Sequence, residues 1–156
     1  IPRLIDLDVN PNIMVSALTL SIAQRLVRKL CVACKHERPV TPEEKVLIEK
    51  LWDEAISKGK DIGQFGVKRD TATVWEATGC EVCGRTGYKG RLGIFEVIQT
   101  DEAIEKIIPT SPSERDIKAI ADKQGTLDMR QDGLVKILQG ITDFAEVQSV
   151  VDWEQN

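Results

Sequence analysis

The apolar residues of this chain recur at helical spacing in several stretches and crowd into strands in two others, with glycine and proline marking the breaks. Ile1 to Ala23 reads as a turn of helix, a break at Asn10-Pro11, and a second helix that carries Ile13, Ala17, Leu18 and Leu20 to Ile22. Gln24 to Leu30 sets Leu26, Val27 and Leu30 among polar residues and predicts a short strand. Thr41-Pro-Glu-Glu44 is a capping box. The threonine hydroxyl accepts from the amide three residues on, the glutamate reaches back, and proline at the first helical position loses no hydrogen bond. It predicts a helix from about 42 to 58 with Leu47, Ile48, Leu51, Trp52 and Ala55 as its buried stripe and Gly59 as its end. Lys60 to Thr78 is expected as a looped or stranded return.

Arg91 to Ile98 predicts a further strand through Leu92, Ile94, Phe95, Val97 and Ile98, and beyond it the composition turns helical. Ser111-Pro-Ser-Glu114 predicts a second capping box, opening a helix that ends near Gly125 and buries Ile117, Ile120 and Ala121. Leu127 to Gln139 predicts a helix with Leu134, Val135 and Leu138 inward, stopped by Gly140. A last helix, starting at about Asp143 with Glu146 three residues on, buries Phe144, Val147, Val150 and Val151. These stripes are the ordinary signature of helix packing.

The 156 residues, 42% hydrophobic, suffice for one core or two small modules. The chain opens at Ile1 without a methionine and is expected to be a segment of something longer. No run approaches the roughly 20 apolar residues of a membrane span, since the best, Ile13 to Ala23, holds Ser16, Thr19 and Ser21. No signal-peptide pattern is present.

All four cysteines fall into two C-x-x-C pairs, Cys31 with Cys34 and Cys80 with Cys83, separated by 45 residues. That is the spacing of a tetrahedral zinc site built from two knuckles, because a two-residue gap in a tight turn lets both sulfurs face one point. Gly79 and Gly84 supply turning backbone. Four cysteine ligands close the shell, so the expected role is structural rather than catalytic. His36, two residues past Cys34, is expected beside the site or in solvent. Arg28, Lys29, Lys35, Arg85 and Lys89 are cations that suit a thiolate cluster. Two disulfides, free thiols and a redox dithiol are the alternatives, and iron competes with zinc for four thiolates. Cysteines committed to metal suit a reducing compartment such as the cytoplasm.

Gly79 to Thr86 reads G-x-x-x-x-G-R-T and nearly satisfies the phosphate-loop pattern, but Arg85 stands in place of the lysine and Cys80 and Cys83 are committed to metal. Gly84, Gly87, Gly90 and Gly93 recur every third residue and predict turns before a strand. The net charge is −4, and a zinc ion with four thiolates would take it to −6. Residues 1 to 100 carry 15 cations and 13 acids, residues 101 to 156 carry 6 and 12, so the tail is acidic and a poor partner for nucleic acid. Around the cysteines Arg25, Arg28, Lys29, Lys89 and Arg91 leave a phosphate-gripping zinc ribbon open, although only Tyr88 interleaves an aromatic.

Several motifs together resemble a known family: Pro2-Arg-Leu-Ile-Asp-Leu, Ala23-Gln-Arg-Leu-Val-Arg-Lys-Leu-Cys31, the two C-x-x-C pairs, Gly87-Tyr-Lys-Gly-Arg, Gly93-Ile-Phe-Glu-Val97, and Asp132-Gly-Leu with Gly140-Ile-Thr. Over nearly its whole length the chain is similar to the C-terminal portion of the assembly ATPases of type II secretion and type IV pilus systems. The resemblance implies an α/β fold: the end of a RecA-like core, a tetracysteine zinc-binding insertion and a C-terminal helical bundle. The implied boundaries are residues 1–30 and 85–100 for the core, 31–84 for the insertion and 101–156 for the helical domain.

By the same resemblance the parent is a cytoplasmic homohexamer, peripheral to the inner membrane, that couples ATP and Mg²⁺ to pilin-like polymerisation through an inner-membrane platform protein. The family's phosphate loop, magnesium-holding acids and histidine box would lie ahead of Ile1, so no ATP hydrolysis is expected from this chain alone. Arg25 and Arg91, on strands that in the family run near the nucleotide, are implied nucleotide or subunit-interface contacts. Charge balance for the thiolates, or surface ion pairing, is an equally open reading of both. A free-standing zinc ribbon that binds nucleic acid or protein is the competing function, with salt-sensitive affinity as its mark.

Overall fold

A computed structural model describes residues 1–154, which fall into two units, Ile1–Ala23 with Val97–Thr126, and Gln24–Glu96 with the chain from Leu127 onward. In chain order the elements are α1 (Pro2–Asp6), α2 (Pro11–Ala17), β1 (Leu20–Leu30), β2 (Lys35–Pro39), α3 (Pro42–Ser57), β3 (Thr73–Ala77), β4 (Tyr88–Gln99), α4 (Glu102–Ile107), α5 (Glu114–Ala121), α6 (Met129–Leu138) and α7 (Phe144–Gln148). The chain is thus a mixture of helix and strand. No helix among the described residues is long and apolar enough to cross a membrane.

In the first unit the break expected at Asn10-Pro11 separates α1 from α2, and Asn10 caps α2 by accepting from the Asn12 amide at 3.0 Å, with Pro11 in the first turn. Helix α2 then stops at Ala17. Leu20 to Ile22, expected in that helix, lie in β1, which pairs with β4. Thr19 is already in register, its carbonyl accepting from the Thr100 amide at 3.0 Å. A sheet partner some 80 residues away decides a segment whose local spacing is compatible with helix.

Met14, Ile104, Ile108 and Ile117 form the core of this unit. Helix α4 was not anticipated, although Asp101 is its signal: its Oδ1 accepts from the amides of Ala103 and Ile104 at 3.1 and 2.9 Å. The second capping box is displaced by two residues. Ser111, in the left-handed conformation with φ 54°, closes the turn Ile108–Thr110, and Ser113 caps α5 with Asp116 as its reciprocal partner. A left-handed residue lacks the extended backbone of an N-cap, so Ser113 takes the role.

In the second unit, β2 and β3 run antiparallel from Lys35 opposite Ala77 to Pro39 opposite Thr73. The Thr41–Glu44 box forms as expected and opens α3, which buries Ile48, Leu51 and Ala55 and leaves Leu47 and Trp52 half-buried. Helix α6 begins at Met129 rather than Leu127, because Asp128 and Gln131 cap it reciprocally at 2.9 and 3.1 Å. Gly133 lets α6 approach α7, since a Cβ there would stand 2.7 Å from the Val147 methyl. Asp143 caps α7 as expected, but α7 ends at Gln148, so Val150 and Val151 follow the helix and are only half-buried.

Residues 140–146 are strapped to β1 and its neighbours. The Leu30 amide donates to the Ile141 carbonyl at 2.8 Å, and the Thr142 hydroxyl donates to the Arg28 carbonyl at 2.9 Å. Glu146 stands at a position from which it could cap its own helix, but it accepts instead from the Arg28 amide at 2.7 Å and from the Arg28 guanidinium at 2.8 and 2.6 Å. The guanidinium lies 4.0 Å from the centre of the Tyr88 ring, whose hydroxyl donates to Asp143 at 2.7 Å. Lys35 donates to the Gly140 carbonyl at 2.8 Å and sits over the Trp75 ring.

Burial pushes the Glu146 carboxyl up, but the Arg28 side chain and amide outweigh it and hold the group below the usual glutamate range. A carboxylate held low in the folded state adds stability above its unfolded pKa, and that stability is lost as pH falls through the folded value. E146Q is expected to cost about 1–2 kcal/mol at neutral pH, with the difference from the parent chain beginning to shrink as pH falls below the unfolded glutamate value of about 4.3 and gone only below the lower folded value, in urea titrations across pH. L51A, at a fully buried position of α3, is expected to cost about 2–5 kcal/mol in the same assay, against less than about 0.5 for V46A on the exposed face.

Candidate metal centre

Both cysteine pairs sit in tight turns next to strands. Cys31 ends β1, and its carbonyl accepts from the amides of Cys34 and Lys35 at 3.2 and 2.9 Å, folding Val32 and Ala33 outward into the first knuckle. In the second knuckle the Cys80 carbonyl accepts from Cys83 and Arg85 at 3.2 and 2.7 Å, around a 3₁₀ turn Glu81–Cys83. The two are joined through backbone, the Cys31 amide donating to the Gly87 carbonyl at 2.9 Å. Gly79 has φ 88°, and a Cβ there would come 2.5 Å from the Arg85 carbonyl oxygen, so only glycine closes this turn without displacement.

These turns bring all four sulfurs within 4.8 Å of one another. Cys31 to Cys80 and Cys34 to Cys83 are 3.9 Å apart and Cys80 to Cys83 is 3.8 Å. A tetrahedron of thiolates at about 2.3 Å from a central ion has edges of about 3.8 Å, so the donor set fits a four-coordinate metal. A disulfide needs about 2.05 Å, and all four cysteines are free.

The amides around the cluster favour thiolates. Cys83 is lowered to about 6, first by the Cys80 amide, which donates to its sulfur at 3.1 Å, and then by the Gly87 amide at 3.3 Å. Cys34 is pushed up to about 12, first by burial and then by the neighbouring sulfurs. One site that ionises readily beside one that resists is what crowded thiols do when negative charge accumulates, and a divalent cation removes that conflict. With all four positions taken by sulfur, the arrangement can hold an ion but offers no open position for substrate.

The cations expected around the thiolates are put to other uses in two cases, Arg28 on Glu146 and Tyr88, and Lys35 on Gly140 and Trp75. Arg85 lies in the second knuckle itself, with φ 64°. His36 extends along β2 and meets Glu76 at 3.1 Å, half-exposed. Gly79 to Thr86 builds the metal knuckle. Arg25 on β1 and Arg91 on β4 are exposed, and the Arg91 charge helps to hold Glu146 ionised. Glu146, Asp143 and Tyr88 were missed in the sequence as supports of the site. Glu146 three residues after a capping Asp143 looks like ordinary capping, and nothing local points it at Arg28.

The sequence model of the family described as "Type II/IV secretion system protein" matches residues 1–149. The chain is 34% identical over 150 residues to the type II secretion system protein E of Aeromonas hydrophila, covering 96% of the chain and 26% of that protein. It is 39% identical over 147 residues to the type IV pilus assembly ATPase PilB of Thermus thermophilus, 94% of the chain and 15% of that protein. It is 36% identical over 148 residues to PilB of Pseudomonas aeruginosa, 95% of the chain and 24% of that protein. The chain spans about a quarter or less of the length of these relatives. A match over nearly every residue, carried by a chain whose paired knuckles converge on one point, identifies it: the chain belongs to the type II/IV secretion system protein family.

Proposed function

We propose that this chain is the C-terminal portion of a cytoplasmic, hexameric ATPase that powers type II secretion or type IV pilus assembly, and that its four cysteines hold a structural zinc ion. In this reading residues 1–30 and 85–100 are the end of a RecA-like core, 31–84 the metal-binding insertion and 101–156 the C-terminal helical domain. The observation that carries it is the convergence of Cys31, Cys34, Cys80 and Cys83 at tetrahedral spacing within a chain matched almost end to end by secretion and pilus ATPases.

The zinc, when bound, supplies a fixed crosslink and no reaction step. This chain's residues do the positioning: the Cys80 and Gly87 amides stabilise thiolate at Cys83, and the Gly140–Glu146 strap fixes β1 beside the first knuckle. The insertion would then act as a rigid docking surface, in the parent, for the inner-membrane platform protein. Arg25 and Arg91 are the positions from which this segment would reach nucleotide or a neighbouring subunit. The engagement of Arg28 within the fold removes one of the cations that a nucleic-acid-binding ribbon would use.

Elemental mass spectrometry of untagged protein is expected to return about one zinc per chain, and C83S to lose it. Chelation is expected to remove a large part of the circular dichroism signal of the native chain. Four titratable thiols with no metal and an unchanged spectrum, or the visible absorbance of iron, would refute the zinc assignment. ATP hydrolysis by this chain alone would refute the placement of the catalytic machinery elsewhere in the parent.

A further inference from the structure

Within the second unit a groove of about 450 Å³ opens among β2, β3, the start of α3 and α7. Its apolar lining is Leu47, Phe144, Ala145 and Trp153, the two rings 6.3 Å apart and inclined at 58°. Its polar lining is acidic. Glu43, Glu44, Glu76 and Asp143 line it with one cation, Arg38, which pairs with Glu44 and Glu76, while Asp143 accepts from the Tyr88 hydroxyl and the Glu146 amide; the lining carries a net negative charge.

Arg38 is committed. It donates to both Glu44 oxygens at 2.7 and 2.5 Å and meets Glu76 at 2.9 Å. Burial pushes the Glu44 carboxyl up, but Arg38 and the Thr41 amide pull it below the usual range, so it stays charged. An anionic ligand would therefore meet a wall of carboxylates. A bare metal ion would gain nothing from the aromatic lining. An arginine or lysine side chain uses both surfaces, laying its aliphatic stem on Leu47 and the rings while its charged head reaches the carboxylates and ring faces. The volume lies low in the usual range of about 300–1,000 Å³ for ligand sites and suits one or two side chains.

We propose that this groove docks an extended basic segment of a partner protein, with one arginine or lysine and an adjacent apolar residue entering it. The inference rests on the groove alone and stands apart from the zinc and motor assignments, since its test reads peptide binding and not metal content or ATP hydrolysis.

The probe is a short fluorescein-labelled peptide of alternating arginine and leucine, titrated by anisotropy with the whole chain at about 0.15 M salt. Saturable binding is expected, weakened at least about fivefold by E43K on the rim and by A145K, which puts a cation into the groove from an exposed position of α7. E105K, exposed on α4 in the other unit, makes the same change of net charge as E43K and is expected to leave affinity unchanged. Circular dichroism of each variant establishes that it folds. Equal weakening by E105K would reduce the effect to general attraction by an acidic chain and overturn the proposal. So would full binding by A145K, displacement by spermidine as effective as by unlabelled peptide, or an anisotropy rise explained by dimerisation of the chain.

Discussion

Four sulfurs from segments 49 residues apart converge on one point, and the strands of the second unit begin or end around it. The cysteines sit at the ends of elements and not within them: Cys31 at the end of β1, Cys34 just before β2, Cys80 after β3, Cys83 ahead of β4. Drawing them together therefore fixes where four strands begin or end. A crosslink that closes a loop of this length as tightly as a covalent bond would remove on the order of 4 kcal/mol of chain entropy from the unfolded state. For a module with few aromatics, that closure is large compared with the net stability of a domain.

The strap from Gly140 to Glu146 is the second constraint, made of hydrogen bonds and an ion pair. Glu146 is nearly buried while its partner Arg28 is half-exposed, with side-chain exposures of 7% and 50%. Such an asymmetric pair avoids the full cost of burying two ions, because the guanidinium keeps water on one side and an aromatic face on the other. The same few residues of the tail meet β1, β2 and β4, so the position of α7 is tied to the strands that present the cysteines.

This arrangement suits a supporting role. With sulfur at all four positions the cluster offers no open position for a substrate, and the strap ties α7 to the strands beside it. In the reading proposed above, a surface that keeps its shape is what this segment would contribute to its parent. The groove beside the strap is built partly from the same segment, through Asp143 and Phe144.

Much of this was legible in the sequence where the controlling interactions are local. The Thr41–Glu44 box, the break at Asn10-Pro11, the glycine stops at Gly59 and Gly140 and the C-x-x-C turns depend on residues within four positions of each other, and each forms. The motifs likewise carried the resemblance to the secretion family, which the family match over residues 1–149 bears out. Local reasoning failed where a distant partner chose. Leu20 to Ile22 have helical spacing yet become strand because β4 offers hydrogen bonds; Ser111 yields its cap to Ser113 because the preceding turn needs a left-handed residue. Glu146 leaves its own helix end for Arg28, 118 residues away. Spacing along the chain fixes what a residue can bond within a turn. Only the closed tertiary structure fixes which charges and sheet edges, far apart in sequence, end up close enough to compete with it.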